Sequence, residues 1–137
     1  MSIRVIRLGT GRVPGEGTRI GTVRRPPRGV RKDLIAARDF YDVWFPLLAP
    51  SVETMTAFRR EMTDQAWRRF VRAYRREMAR PEASHALDLL TTLSQATSFS
   101  VGCYCEDETR CHRSILRALL EERGAALVRE GSTSRPR

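Results

Sequence analysis

The residues best suited to chemistry lie in one short segment, 103–114, which reads Cys-Tyr-Cys-Glu-Asp-Glu-Thr-Arg-Cys-His-Arg-Ser. The segment contains every cysteine of the chain and one of its two histidines. An alternating apolar stretch precedes it and a helical pattern follows it. We therefore expect these side chains to lie beyond the carboxyl end of a strand, where α/β folds bind their ligands.

The start of the following helix is predicted to form an anion site. If the helix begins near Cys111 or Arg113, its free backbone N–H groups and positive dipole end face the loop. Arg110 and Ser114 add a charge and a hydroxyl donor. The same field favours a Cys111 thiolate, which the acidic residues 106–108 oppose. The candidate catalytic residues are His112, Cys111 and Glu106.

A zinc site is the alternative interpretation of the same segment. Cys103, Cys105, Cys111 and His112 supply four ligands, enough for tetrahedral zinc. On an extended strand, however, Cys103 and Cys105 would share a face about 6.5 to 7 Å apart, which is awkward for one ion or for a disulfide. That objection lapses if the chain turns between them. We predict no cofactor, with zinc as the alternative, and a buried Cys103 thiol.

A second polar segment, residues 24–29, contains two prolines that stiffen its backbone and present its arginines without a helix. We expect its arginines and Arg19 to approach the Cys105–Ser114 loop across the strand ends and to clamp an anionic small molecule, such as a nucleotide or another phosphorylated compound. The predicted ligand-binding residues are Arg19, Arg24, Arg28, Cys105, Arg110, Arg113 and Ser114.

The hydrophobic pattern predicts both strands and helices. Alternation bounded by turn residues indicates strands over 3–8, 17–23 and 98–104. Residues 125–129 are predicted to form a short edge strand, and residues 32–46 a short helix or docked loop.

Four helices are predicted. The first spans residues 52–61 with Ser51 as its N-cap, the second begins after Thr63, and the third begins at Pro81. The fourth follows the cysteine segment and ends at Gly124, which serves as its C-terminal cap. Apolar residues at helical spacing mark the faces of the last three that should be buried. These residues are Trp67, Phe70, Val71 and Tyr74; Ala83, Ala86, Leu87, Leu90 and Leu93; and Ile115, Leu116, Leu119 and Leu120.

Size and composition indicate one globular domain. The chain has 137 residues, of which 41% are hydrophobic and 30% charged. We predict an α/β fold in a single compact domain over 1–130, with a small central, largely parallel sheet flanked by helices, and a frayed tail over 131–137. No apolar run is long enough to span a membrane, and three clustered cysteines agree with a reducing compartment. We therefore expect a cytoplasmic protein without a membrane partner.

The formal net charge of +9 suggests a second class of function. Because Lys32 is the only lysine, 24 of the 25 basic residues are arginines. A basic surface favours encounter with phosphate. The alternative to an anion pocket or enzyme is thus a basic module that binds nucleic acid or protein, with the Cys-His-Arg loop as a structural brace. Nothing in the sequence indicates an oligomeric state.

Several short motifs in fixed order resemble those of a known family. They occur at residues 17–20, at Arg24 with 27–29, at 48–51, at Trp67 with Phe70 and 74–77, at Cys105-Glu106, and at 111–114. Over about residues 3 to 125 the chain resembles the bacterial YeaO-like family, domain of unknown function 488. Val23 and Pro26 stand where that family usually has an acidic residue and a tryptophan. The resemblance implies a small cytoplasmic α/β protein that shares the arginine segment and the Cys-His-Arg segment, and it implies no particular reaction.

Overall fold

A computed structural model describes residues 1–128 and shows one four-stranded sheet in which all strands run parallel. The spatial order is β1-β4-β2-β3, so β4 pairs with both β1 and β2. All carboxyl ends therefore lie at the same edge of the sheet. The predicted tail, 131–137, lies outside the described residues. The strands are β1 (Ile3–Arg7), β2 (Thr18–Gly21), β3 (Val43–Trp44) and β4 (Phe99–Cys103).

Four α-helices accompany the sheet and begin where the sequence places their start signals. The Ser51 hydroxyl accepts a hydrogen bond from the Thr54 N–H, and the Thr63 hydroxyl accepts one from the Ala66 N–H, so both residues cap helices as predicted. None of the described helices is long and apolar enough to cross a membrane. The helices are α1 (Val52–Glu61), α2 (Asp64–Met78), α3 (Pro81–Ser94) and α4 (His112–Glu122).

The main core lies between the helices and one face of the sheet. Tyr74, Leu87 and Leu116 are fully buried there against Val101 of β4. The predicted burial of Leu93 is wrong, since this residue is 39% exposed. The buried stripe of α3 ends instead at Ser94, whose hydroxyl donates to the Thr91 carbonyl and accepts from the Ala126 N–H.

Loops cover the opposite face of the sheet. The Tyr41 ring packs against Gly21, where a Cβ atom would overlap it, and the Ser100 hydroxyl donates to the Glu16 carbonyl. Arg19 of β2 is buried on this face and forms an ion pair with the equally buried Glu16. The loops thus seal the second face with polar contacts as well as apolar ones.

Two local predictions needed correction. Residues 32–46 contain a short 3-10 helix at Lys32–Leu34 and the edge strand β3, whose two residues are too few to produce an alternating pattern. The predicted strand at 125–129 is reduced to one parallel bridge between Ile3 and Leu127 in the described part of the chain.

Replacement of Gly17 by alanine should destabilise the fold more than replacement of Gly15. Both glycines have positive φ values, +78 and +79, so both substitutions strain the backbone. At Gly17 the new Cβ would also overlap the Ser98 carbonyl oxygen, whereas no described atom lies within 4 Å of the corresponding position at Gly15. We expect Gly17→Ala to cost about 1 to 3 kcal/mol more in the free energy of unfolding, measured with urea. Equal losses would contradict this account.

Candidate functional site

The carboxyl edge of the sheet brings two cysteines together. Cys103 is the last residue of β4, and Cys111 is the extended residue immediately before α4. Their sulfur atoms lie 2.7 Å apart, and each residue is only 2% exposed. The strand–loop–helix order predicted from the sequence therefore brings these two sulfur atoms together.

Cys105 lies on the surface two residues after Cys103. Because β4 ends at Cys103 and the chain bends at Tyr104, the two cysteines do not both lie on an extended strand, so the objection to their sharing one site lapses. The neighbouring Cys103 and Cys111 thiols, with the charge on Arg113 in a smaller role, lower the pKa of Cys105, whereas Cys105 raises the pKa of Cys103. The exposed thiol is therefore the one whose ionisation its surroundings favour.

His112 is buried beneath the thiols. Its Nε2 lies 2.7 Å from the Thr22 carbonyl oxygen, which requires a proton on Nε2 and leaves Nδ1 free as an acceptor. Nδ1 lies 3.8 Å from the Cys111 sulfur. Burial lowers the pKa of His112 to about 4, and the Tyr74 ring stands edge-on at 5.5 Å. The imidazole is therefore neutral near pH 7, and its Nδ1 faces the Cys111 sulfur.

Arg113 and Ser114 brace the loop from the first turn of α4. Arg113 is 3% exposed, and its Nη2 donates to the Cys105 carbonyl at 2.5 Å. Its Nε is buried without a hydrogen-bond partner among the described residues. The Ser114 hydroxyl donates to the Cys111 carbonyl at 2.9 Å. The positive charge of Arg113 stays inside the protein, beneath the loop that carries Cys105.

The other predicted residues of the loop point outward. Glu106 is exposed, with its carboxylate 3.7 Å from Nη1 of Arg7. The Arg110 guanidinium binds Asp64 at 2.5 Å and lies over the Trp67 ring at 5.8 Å. Arg110 therefore ties the loop to the start of α2.

The predicted arginines outside the loop have different partners. Arg19, which is 1% exposed, donates to the carbonyl oxygens of Asp39 and Gly11 in addition to its ion pair. Arg24 donates to the carbonyl oxygens of residues 49 and 50, and Arg28 is exposed. Within residues 1–128, the hydrogen bonds of Arg19 and Arg24 thus run to the loop-covered face and to the start of α1, not to the Cys105–Ser114 loop.

Arg7 is a site residue that sequence reasoning missed. Its Nε donates to the Tyr104 carbonyl at 3.2 Å, and it lies beside Glu106, so it contacts the residues on both sides of Cys105. Its side chain is 45% exposed. The signal is the strand register, because Arg7 pairs directly with Cys103 in the parallel sheet. This pairing can be recognised only from the tertiary structure, which places β1 next to β4.

The cluster also offers ligand atoms for a metal ion. The donor atoms of Cys103, Cys111 and His112 all lie within 4.8 Å of one another, and sulfur and imidazole suit zinc. Two sulfur ligands of tetrahedral zinc lie about 3.8 Å apart, given Zn–S bonds of about 2.3 Å. The observed 2.7 Å is shorter, so zinc would need the two sulfurs to separate by about 1 Å. The donor set therefore suits a soft metal, and binding one would require the two sulfurs to move apart.

The buried His112 should make the protein less stable in mild acid. Its folded pKa of about 4 lies below the ordinary 6.5, so the unfolded chain takes up the proton first. The stabilisation is complete above pH 6.5 and is lost as the pH falls toward 4, by about 3 kcal/mol in total. We expect urea unfolding between pH 7 and 5 to show about 2 kcal/mol of this loss. His112→Gln, which retains a donor for Thr22, should flatten the slope, and His85→Gln should not.

A family model described as the active DUF488-N3 subclade matches residues 3–124, which include the strands and helices of the described residues and all three cysteines. No curated protein and no solved structure shows a significant match to the chain. Because the matched region covers most of the chain and agrees with the motifs in the sequence, this protein belongs to the DUF488 family.

Proposed function

We propose that this protein is a thiol-dependent exchange enzyme whose Cys105 attacks the S–S bond of a small anionic substrate. The observation that carries the proposal is the pair of buried thiols in contact at the carboxyl edge of the sheet, with the exposed Cys105 only two residues beyond Cys103. An exposed cysteine with a lowered pKa supplies the nucleophile, and a neighbouring thiol can release a product bound to it.

The proposed reaction has two steps that balance. The Cys105 thiolate attacks one sulfur of a substrate disulfide, forms a mixed disulfide and expels the other sulfur as a thiolate, which takes a proton from water. Cys111 then attacks the Cys105 sulfur, and the second substrate thiol leaves with the proton that Cys111 gives up. Two electrons pass from the protein thiols to the substrate, which leaves a Cys105–Cys111 disulfide for an external thiol to reduce.

The surroundings of Cys111 support its role as the resolving thiol. His112 Nδ1 lies 3.8 Å from its sulfur and carries no proton, so it can accept the Cys111 S–H hydrogen bond. Such a bond increases the nucleophilicity of the sulfur. Because His112 is buried, its part is to orient and activate Cys111, not to exchange protons with a substrate at the surface.

Charge around the loop supports an anionic substrate. Arg7 flanks Cys105 with a side chain that is almost half exposed, and Arg113 lies beneath the same loop. Arg113 lies in the first turn of α4, whose dipole adds positive potential. The proposed substrate is therefore an anionic small molecule, as predicted from the sequence, that contains an S–S bond. Cys105 is the nucleophile that attacks this bond.

The thiols should differ sharply in reactivity. At pH 6 an ordinary thiol of pKa 8.5 is less than about 1% ionised, whereas Cys105 should already be a thiolate. One equivalent of dithiobis(nitrobenzoate) should release two equivalents of nitrothiobenzoate from the parent protein and leave an internal disulfide. Cys111→Ser should release one equivalent and keep the adduct, which mass spectrometry would locate on Cys105.

The matched variant is Cys105→Ser, which leaves the two buried thiols in place. It should react at least about 100-fold more slowly at pH 6, because buried neutral thiols are poor nucleophiles. If Cys105→Ser reacted as fast as the parent, the assignment of the nucleophile would fail.

Arg7 should favour anionic substrates over neutral ones. Removing a charge beside the nucleophile lowers the rate of encounter with an anion by about 10-fold at low salt. We expect Arg7→Gln to slow the reaction with anionic dithiobis(nitrobenzoate) by that factor and to leave the reaction with neutral dithiodipyridine unchanged. Arg59→Gln, the same charge change on exposed α1, should affect neither rate. Equal slowing with both reagents would contradict this prediction, because it would show that Arg7 positions the loop that carries Cys105 and does not attract anionic substrates.

A further inference from the structure

The exposed face of α2 is almost purely basic. With 3.6 residues per turn, its five arginines fall within an arc of about 120°, opposite the buried Phe70 and Tyr74. The helix has two carboxylates: Asp64, one turn before Arg68, forms its ion pair with Arg110, and Glu77 accepts hydrogen bonds at the start of α1. The five arginines are Arg68, Arg69, Arg72, Arg75 and Arg76.

Only two of these five arginines form an ion pair within residues 1–128. Arg69 pairs with Glu61 at 2.7 Å, and Arg75 pairs with Glu122 at 2.8 Å. Arg68, Arg72 and Arg76 are exposed and form no ion pair in that part of the chain. They follow one another at intervals of four residues, so they form a row about 12 Å long. Like charges at this spacing destabilise an isolated helix, which an anionic partner would relieve.

We propose that this row, Arg68 with Arg72 and Arg76, binds the phosphate backbone of nucleic acid without regard to sequence. Each strand of duplex DNA carries one phosphate per about 3.4 Å, so a row of 12 Å spans about three to four phosphates of the strand that it faces. Guanidinium groups bind phosphate oxygens in pairs. The surface lies outside the thiol cluster, so the inference goes beyond the proposed function and does not depend on it.

The composition of the face favours nucleic acid over a lipid surface. A helix that lies on a membrane inserts an apolar face between the lipids and keeps its charges at the headgroups. The apolar face of α2 is not available for insertion, because it is buried in the core. Its buried residues are Ala66, Phe70, Tyr74 and Met78. The outward face therefore offers charge without an apolar anchor.

The test compares two triple variants that each lower the net charge by three. Arg68→Gln/Arg72→Gln/Arg76→Gln removes the row, and Arg38→Gln/Arg59→Gln/Arg60→Gln removes three exposed arginines that lie outside both α2 and the thiol cluster. Fluorescence anisotropy with a labelled 20-base-pair duplex would be recorded from low to moderate salt. Since each phosphate contact contributes about 0.9 to the slope of log K against log salt, the row variant should lose about 2.7 of that slope.

The control variant should keep most of the parental slope, and both variants should keep the parental reaction of Cys105 at pH 6 if the two surfaces are independent. Circular dichroism and urea unfolding would verify that the row variant is folded, and relief of like-charge repulsion should leave it at least as stable as the parent. The proposal would be overturned if both triples lost the same slope, if the parent failed to bind the duplex at low salt, or if the row variant lost binding only to phosphatidylserine vesicles.

Discussion

The parallel pairing of β4 with both β1 and β2 is the constraint on which the site depends. It places three strand ends side by side, so that Arg7 and Thr22 meet Cys103 from its two neighbours. Close pairing requires Gly102, where a Cβ atom would lie 2.5 Å from the Ile6 carbonyl oxygen. Because α4 returns directly from this edge, Cys111 and His112 arrive beneath the same strand end.

Burial separates the roles of residues that are otherwise chemically alike. Cys103 and Cys111 are enclosed, while Cys105 is exposed, and the neighbouring thiols lower the pKa of Cys105, so ionisation is favoured at the thiol on the surface. The charge on Arg113, held inside by the Cys105 carbonyl, adds to this bias. His112 remains neutral because burial opposes its protonation, which suits it to accept a hydrogen bond from Cys111.

The many arginines divide by location into structural and surface groups. Arg19 and Arg113 are buried and organise loops, one on each side of the strand ends. The arginines of α2 surround a helix whose apolar residues are already packed, which leaves their charge to the solvent. The net charge of +9 therefore includes buried arginines that support the fold, and only the exposed arginines bear on binding to anionic partners.

The sequence by itself determined the α/β class, the helix starts at Ser51 and Thr63, and the concentration of chemistry after the last strand, because caps and periodicity are local properties. Tertiary structure decided the rest. The partners of Arg19 come from loops that local patterns do not place, and the pairing of Arg7 with Cys103 spans 96 residues. The position of Cys105 outside the strand depends on where β4 ends. Long-range pairing is set by the packing of the whole chain, so no local pattern could reveal it.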